Sequence, residues 1–273
     1  MNNTPKTGLA IIGSGPGGYT AAFRAADLGL DVTLIDKNSS LGGVCLNRGC
    51  IPSKSLLHIS KIINETKDSS DIGISFAKPK INIEKIHKWK NKIINNLNNG
   101  ISSLAKARKI NVINGEAKFL SANELSIIDN QDKIISLNFD NCIIASGSKS
   151  SIIPNLDKKH PSILYSADAL NFNKVPKRLL VIGGGYIGLE LATVFDSLGS
   201  NITLAEFLPS LLSMVDKDLL KPLSSKFENN CENIYLSTEV TSLMPQADNS
   251  VVVSFKQKDK EFKVNIFVTG MHM

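Results

Sequence analysis

Two short apolar runs, Leu9 to Ile12 and Leu179 to Ile182, each break at a glycine cluster and resume with the spacing of a helix. In the first, Gly13, Gly15 and Gly18 precede an Ala-rich helix, Tyr19 to Leu28, that Gly29 ends; a second strand, Val32 to Ile35, closes on Asp36. In the second, the glycines are Gly183, Gly185 and Gly188, the helix stop is Gly199 and the acid is Glu206. Gly13 to Asp36 and Gly183 to Glu206 both span 23 positions, and Gly13 to Gly29 and Gly183 to Gly199 both span 16. Two matched spacings mark one supersecondary unit used twice. Strand, glycine turn, helix and acid-tipped strand together predict an α/β chain with two Rossmann-like dinucleotide-binding domains. The first glycine makes the tight turn, the second leaves room for a pyrophosphate, and the third lets the helix pack on the strand. The phosphates then face amides at the helix N-terminus, and the carboxylate can accept hydrogen bonds from an adenosine ribose.

Between the two copies the period is helical and then strand-like. Pro52 suits the first turn of a helix running through Ser53 to about Lys67, with Leu56, Leu57, Ile59, Ile62 and Ile63 as its apolar face. A second helix is predicted over Ile83 to Arg108, with Ile86, Trp89, Ile93, Ile94, Leu97, Ile101 and Leu104 at helical spacing and Trp89 read as core. Asn98-Asn99-Gly100 weighs against an unbroken helix there. Strands follow at Val112-Ile113, Ala117 to Leu120, Leu125 to Ile128, Ile134 to Phe139 and Cys142 to Ala145, with Asp129 to Asp132 as a turn in an antiparallel excursion. Cys142 reads as a small buried hydrophobe and Cys231 as an incidental loop thiol. Pro154, Pro161 and Pro176 punctuate a linker. After Glu206, a helix from about Lys217 to Phe227 and strands at Ile234 to Leu236, Val251 to Phe255 and Lys263 to Phe267 are predicted. The expected domains are 1–148 and 177–273, joined by residues 149–176.

A length of 273 residues suffices for two cores, and 42% apolar with 21% charged residues is a soluble globular composition. The net charge of +6 is spread from Lys6 to Lys263 rather than gathered into a patch, which argues against a nucleic-acid surface. No leader-like segment and no run approaching about 20 apolar residues is visible, so a cytoplasmic location is expected. In a reducing compartment a close cysteine pair is more naturally catalytic or metal-binding than structural. His58, His87, His160 and His272 show no paired spacing that would complete a metal site, and none is expected.

The close pair is Cys45 and Cys50, inside the stretch Gly42 to Lys54, GGVCLNRGCIPSK. Together with the two glycine turns, this stretch resembles the active-site segment of the flavin-dependent pyridine nucleotide disulfide oxidoreductases, and within them the lipoamide-oxidising branch. The resemblance implies FAD on the first domain, NAD on the second and a redox-active disulfide between Cys45 and Cys50. Cys45 would exchange with the substrate and Cys50 would face the flavin. Their Cα atoms must then come within about 7 Å. A regular helix would turn the side chains apart, so Cys45 is expected in an irregular turn just before the helix. The resemblance also places Lys54 by the flavin, paired with Glu190; the bland readings are an exposed lysine and a solvent-facing glutamate. A cation there would favour negative charge on a reduced flavin and lower a neighbouring thiol pKa. Ala145-Ser146-Gly147 resembles the family's alanine-threonine-glycine signature, with Ser146 keeping the hydroxyl. Lys37, Gly43, Ala117, Val240 and Gly270 complete the expected cofactor-binding set. Glu206 favours the 2′-hydroxyl of NAD over the 2′-phosphate of NADP, and Phe207-Leu208-Pro209 offers no arginine to reverse this.

The implied reaction is oxidation of protein-bound dihydrolipoamide, with lipoyl-bearing subunits of 2-oxo acid dehydrogenase or glycine cleavage complexes as partners. Mercuric- or glutathione-reductase-like chemistry is the alternative within the family. Its members form homodimers through a C-terminal domain that also supplies a histidine–glutamate acid–base pair. The ending matches the family's strand end as far as Gly270 and departs at Met271-His272-Met273, so a truncated product of a longer gene is expected, with an inactive cofactor-binding remnant as the rival to an enzyme.

Overall fold

The structure is a computed structural model that describes residues 4–149, 160–258 and 260–270. Pro154 in the expected linker and the ending Met271-His272-Met273 lie outside the described residues. The chain forms two compact units, Met1–Pro52 with Trp89–Ser148, and Ser53–Lys88 with Lys149–Met273. The helical segment assigned from sequence to the first domain thus divides differently: residues 53–88 cluster with the second unit.

In the first unit, β1 (Lys6–Ile12), β2 (Val32–Asp36), β3 (Asn111–Ser121), β4 (Glu124–Asp129) and β5 (Ile134–Ile144) close in a ring. β1 runs parallel to β2 and to β5. β3 pairs with β2 over Asn111 to Asn114 and then, from Gly115, antiparallel with β4. β5 does the reverse, pairing with β4 over Ile134 to Asn138 and with β1 from Asn138 onward. Each is one strand where the sequence suggested two, because its partner changes midway. Strand alternation sends Leu9, Ile11, Val32 and Leu34 to one face, against Ala22 and Ala25 of α1 (Pro16–Asp27) and Ala105. Ala10 and Ile35 face the other way, against Leu125, Ile127, Leu137 and Phe139. Both faces of the parallel strands are therefore covered, which explains their nearly continuous apolar runs.

The second unit repeats the plan. Its sheet has the order β10 (Glu239–Pro245), β11 (Val251–Gln257), β12 (Lys260–Gly270), β7 (Arg178–Ile182), β8 (Asn201–Ala205), β9 (Asn233–Tyr235), with β6 (Ile163–Leu164) against β12. Leu179 and Val181 pack with Leu189, Leu191, Ala192 and Phe195 of α6 (Tyr186–Leu198), while Leu180 and Ile182 pack with Val251, Val253 and Phe255. Like β5, β12 belongs to an antiparallel excursion through Ile266 and to the parallel sheet from Phe267. Leu56 of α3 (Cys50–Asp68) and the partly buried Ile83 and Ile86 of α4 (Ile83–Ala107) join this core. The short α5 (Ser166–Ala169), β6 and β10 were not anticipated, and α7 (Lys217–Asn230) runs three residues beyond its predicted end. Cys231, expected as a loop thiol, caps α7 and packs on the core, where burial first and Asp196 second push its thiol up to about 11.

α4 is unbroken through Asn98-Asn99-Gly100, and its inner stripe keeps Ile86, Ile93, Ile94 and Ile101 of the predicted set, each partly buried, but not the other three. Trp89, Leu97 and Leu104 are on the exposed side, Trp89 at 38%, whereas Lys90 at 1% and Ala105 are buried and Asn98 is half-buried. At these three places the inner residue is the one after the predicted one.

Candidate functional site

Each glycine turn is built by the same backbone bonds. Gly13 N donates to Ile35 O (2.7 Å) and Gly183 N to Ala205 O (2.8 Å). Farther along, Gly42 N donates to Ser14 O (2.8 Å) and Leu212 N to Gly184 O (3.0 Å), so the repeat extends 28 positions past the turn in both copies. Gly13 and Gly183 have φ of 103° and 105°, in the left-handed region open to glycine. A Cβ at Gly18 or Gly188 would lie 1.8 Å or 2.1 Å from the carbonyl oxygen of Gly13 or Gly183. The middle glycines differ. Gly15 and Gly185 cap α1 and α6 with φ of −66° and −76°; a Cβ would meet nothing within 4 Å at Gly185, and at Gly15 only Gly43 Cα at 4.0 Å. The fold does not require glycine there. Open space over a helix N-terminus, where amides are unsatisfied, fits the pyrophosphate of a dinucleotide.

The acids close both turns from the neighbouring strand. Asp36 Oδ2 accepts from Ser14 N (2.7 Å) and Ser14 Oγ (2.6 Å), and its Oδ1 from the backbone N and Nδ2 of Asn38 (both 2.8 Å). Burial works against the Asp36 charge, but these bonds together outweigh it and hold the carboxyl below its usual value. Glu206 uses Oε2 to accept from Gly184 N (2.6 Å) and Oε1 to accept from Leu208 N (2.7 Å). A carboxylate has about four acceptor positions, so the four of Asp36 are filled by its own chain, whereas Glu206 accepts two bonds from its chain and keeps about two positions open. Ser14 and Asn38 were missed from sequence; the position directly after a turn glycine, facing an acid 22 residues on, was the available signal.

Cys45 does not lie in an irregular turn. It is the third residue of a short helix, α2 (Gly43–Arg48), and Cys50 opens α3 after Gly49, whose φ of −144° and ψ of −108° interrupt the helical path. The break, rather than the absence of helix before it, frees the pair from the angular spacing of one continuous helix. Cys45 is half-buried and Cys50 exposed. Gly42 and Gly43 both have positive φ, 96° and 59°, and Gly43 packs so closely on the first turn that a Cβ would sit 2.6 Å from Gly15 Cα. The segment that carries Cys45 is thereby seated on the glycine turn.

In the second unit, Lys54 Nζ lies 2.6 Å from Glu190 Oε1, with side-chain exposures of 60% and 24%. Of the remaining expected residues, Ala145 follows β5 and donates its N–H to Ile12 O (2.8 Å), with Ser146 and Gly147 next. Ala117 lies in β3 opposite Ile127, and Lys37 is exposed beyond β2. Val240 is 7% exposed in the sheet core, which leaves its backbone as the part able to meet a nucleotide. Gly270 pairs with Ile182 at the edge of the second turn. Among the described residues there is no group of three His, Cys, Asp or Glu side chains suited to a metal, and no helix long and apolar enough to cross a membrane.

Duplicated dinucleotide turns with a cysteine pair seated on the first define the class: residues 7–271 match the family described as pyridine nucleotide-disulphide oxidoreductase, and the chain belongs to it. Members are oxidoreductases, and membership implies FAD and NAD(H) as cofactors. The chain is similar to dihydrolipoyl dehydrogenase of Vibrio cholerae, 43% identical over 258 residues that make up 94% of this chain and 54% of the relative. It is 44% identical over 252 residues to dihydrolipoyl dehydrogenase of Buchnera aphidicola subsp. Acyrthosiphon pisum, covering 92% and 53%. The chain spans about half the length of the curated relatives it matches. Among solved structures, a copper(II) complex of the HOCl-induced flavoprotein disulfide reductase RclA from Escherichia coli superposes with a TM-score of 0.80 at 25% identity, over 99% of this chain and 56% of that one.

Proposed function

We propose that the chain carries the flavin, disulfide and NAD portions of a dihydrolipoyl dehydrogenase, with 1–148 serving FAD and 177–273 serving NAD. The observation that carries the reading is the Cys45–Gly49–Cys50 break on a segment seated against the first glycine turn. In the proposed reaction the dithiol of dihydrolipoamide is oxidised to its disulfide while the Cys45–Cys50 disulfide takes two electrons and two protons. Those electrons leave as a hydride on NAD, releasing one proton and restoring the disulfide. Bound FAD supplies the two-electron relay between dithiol and nicotinamide. The chain's own residues hold the parts: the helix N-termini after Gly15 and Gly185 face the pyrophosphates, and Glu206 offers its spare acceptor positions to the NAD ribose. The same positions disfavour a 2′-phosphate, which separates this reading from an NADP-linked reductase. Lys54 and Glu190 are assigned to the flavin side by resemblance. Lipoyl-bearing subunits of 2-oxo acid dehydrogenase or glycine cleavage complexes are the proposed partners, in the cytoplasm, with homodimerisation by likeness to the family.

The test is peptide mapping of the flavin-loaded chain. The expected result is a Cys45–Cys50 disulfide that dihydrolipoamide opens and whose electrons are recovered as NADH in preference to NADPH. A chain that holds flavin but shows no such disulfide, or one that dihydrolipoamide leaves closed, overturns the reading.

A further inference from the structure

Asn47, inside the Cys45–Cys50 segment, donates through Nδ2 to both Leu41 O (3.0 Å) and Gly43 O (2.9 Å), the carbonyls on either side of Gly42. Both hydrogens of the amide are thus engaged, which fixes its orientation: nitrogen toward the carbonyls and Oδ1 away from them. That oxygen accepts from Asn98 Nδ2 (2.9 Å) on α4. The orientation of Asn98 follows in turn, leaving its Oδ1 buried without a donor. Asn98 occupies the inner stripe of a helix whose other inner positions include Ile94, Ile101 and Ala105. An apolar side chain would fill that position without stranding an oxygen. A polar side chain kept at an inner position with half its bonding capacity unused points to the one bond it makes.

We infer that Asn98 is a positioning residue for the redox pair: through Asn47 it locks the left-handed Gly42–Gly43 turn from which α2 launches Cys45. The bond adds to the contacts that seat the turn, Gly42 N on Ser14 O and Gly43 against Gly15. Two consecutive glycines with positive φ have the widest backbone freedom of any residues, and Cys45 lies two positions beyond them. If the lock opens, α2 can swing about the pair, so the disulfide closes less readily and the reduced Cys45 meets solvent more often. The inference rests on the reading of Cys45 and Cys50 as a redox couple.

Two variants test it in the full flavin-loaded chain. Asn98→Asp keeps the shape but removes the donor to Asn47, and Asn98→Leu removes the donor while supplying apolar packing that supports the fold. Both are expected to make the Cys45–Cys50 disulfide easier to reduce in a dithiothreitol redox titration and to speed iodoacetamide labelling of reduced Cys45 by roughly fivefold, with labelling of Cys142 changed less than about twofold. Adding Asn98→Asp to Asn47→Ala should produce no further change, because the two residues act in series. No disulfide in the parent chain overturns the redox reading itself and the inference with it. A parent disulfide whose potential and Cys45 labelling are unchanged in both variants overturns the inference alone, as does acceleration of Cys142 in step with Cys45, or an additive double variant.

Discussion

The middle and last glycines of a dinucleotide turn look alike in sequence, yet the structure assigns them opposite reasons, and alanine separates the two. At Gly188 a methyl would lie 2.1 Å from Gly183 O, 3.2 Å from Gly183 C and 3.3 Å from Val181 Cγ1. Restoring an ordinary carbon–oxygen contact of about 3.3 Å means moving α6 off β7 by about 1 Å. Backbone cannot rotate aside as a flexible side chain would, so Gly188→Ala is expected to cost about 3 kcal/mol, at the upper end for overpacking. For a unit of this size that lowers Tm by roughly 6–12 °C. At Gly185 nothing lies within 4 Å, and φ of −76° with ψ of 174° suits alanine. The poorer N-cap costs about 0.5–1 kcal/mol. Lower unfolded-chain entropy returns about 0.4–1 kcal/mol. The two nearly cancel, and Tm of Gly185→Ala should stay within about 2 °C of the parent. Its methyl, however, fills the space assigned to the pyrophosphate, and NADH affinity should fall at least tenfold, a loss of about 1.4 kcal/mol. Differential scanning fluorimetry and NADH fluorescence titration on the full chain read both quantities. A Gly185→Ala chain that melts as low as Gly188→Ala would show that the fold needs this glycine. One that binds NADH like the parent would show that the open space is not where the phosphates go.

Two further predictions concern buried charge. Asp36→Asn should destabilise by about 2–3 kcal/mol at neutral pH, because an amide can keep only some of the bonds from Ser14 and Asn38. Since the folded carboxyl titrates below its ordinary value, its contribution is present above about pH 4 and lost as pH falls through the folded pKa; urea denaturation of parent and variant should converge in acid. Lys90 runs the other way: burial pulls its pKa from 10.5 to about 8, so the folded state sheds its proton first and stability should rise by up to about 3 kcal/mol between those pH values. Lys90→Met should abolish that rise, and an unchanged pH profile in the variant would contradict this.

The repeat was legible because glycine spacing reports backbone geometry directly: the turns at Gly13 and Gly183 need positive φ, and Gly18 and Gly188 need a missing Cβ. Strand boundaries were less legible, since no residue type announces that β3 at Gly115 or β5 at Asn138 changes partner while continuing as a strand. Cys45 was misplaced because the argument that a continuous helix separates the cysteines is equally satisfied by two helices with a break, and Gly49 supplies the break. Three positions of α4 were misread for a sharper reason. Hydropathy ranks Trp89 and Leu97 as inner and Lys90 and Asn98 as outer, whereas the fold places Lys90 and Asn98 on the inner stripe and leaves Trp89 and Leu97 exposed. Ser14 and Asp36 are likewise polar groups in buried positions that apolar patterning passes over. Local pattern and global fold therefore disagree where polar side chains have been taken inside. Such positions oppose stability unless a bond or a task retains them. For Asp36 the retaining bonds hold the first glycine turn, and for Asn98 the retaining bond leads to Cys45. The misread positions on α4 thus carry more information about the site than the correctly read apolar face does, because apolar burial on that face serves the core whatever chemistry the fold supports.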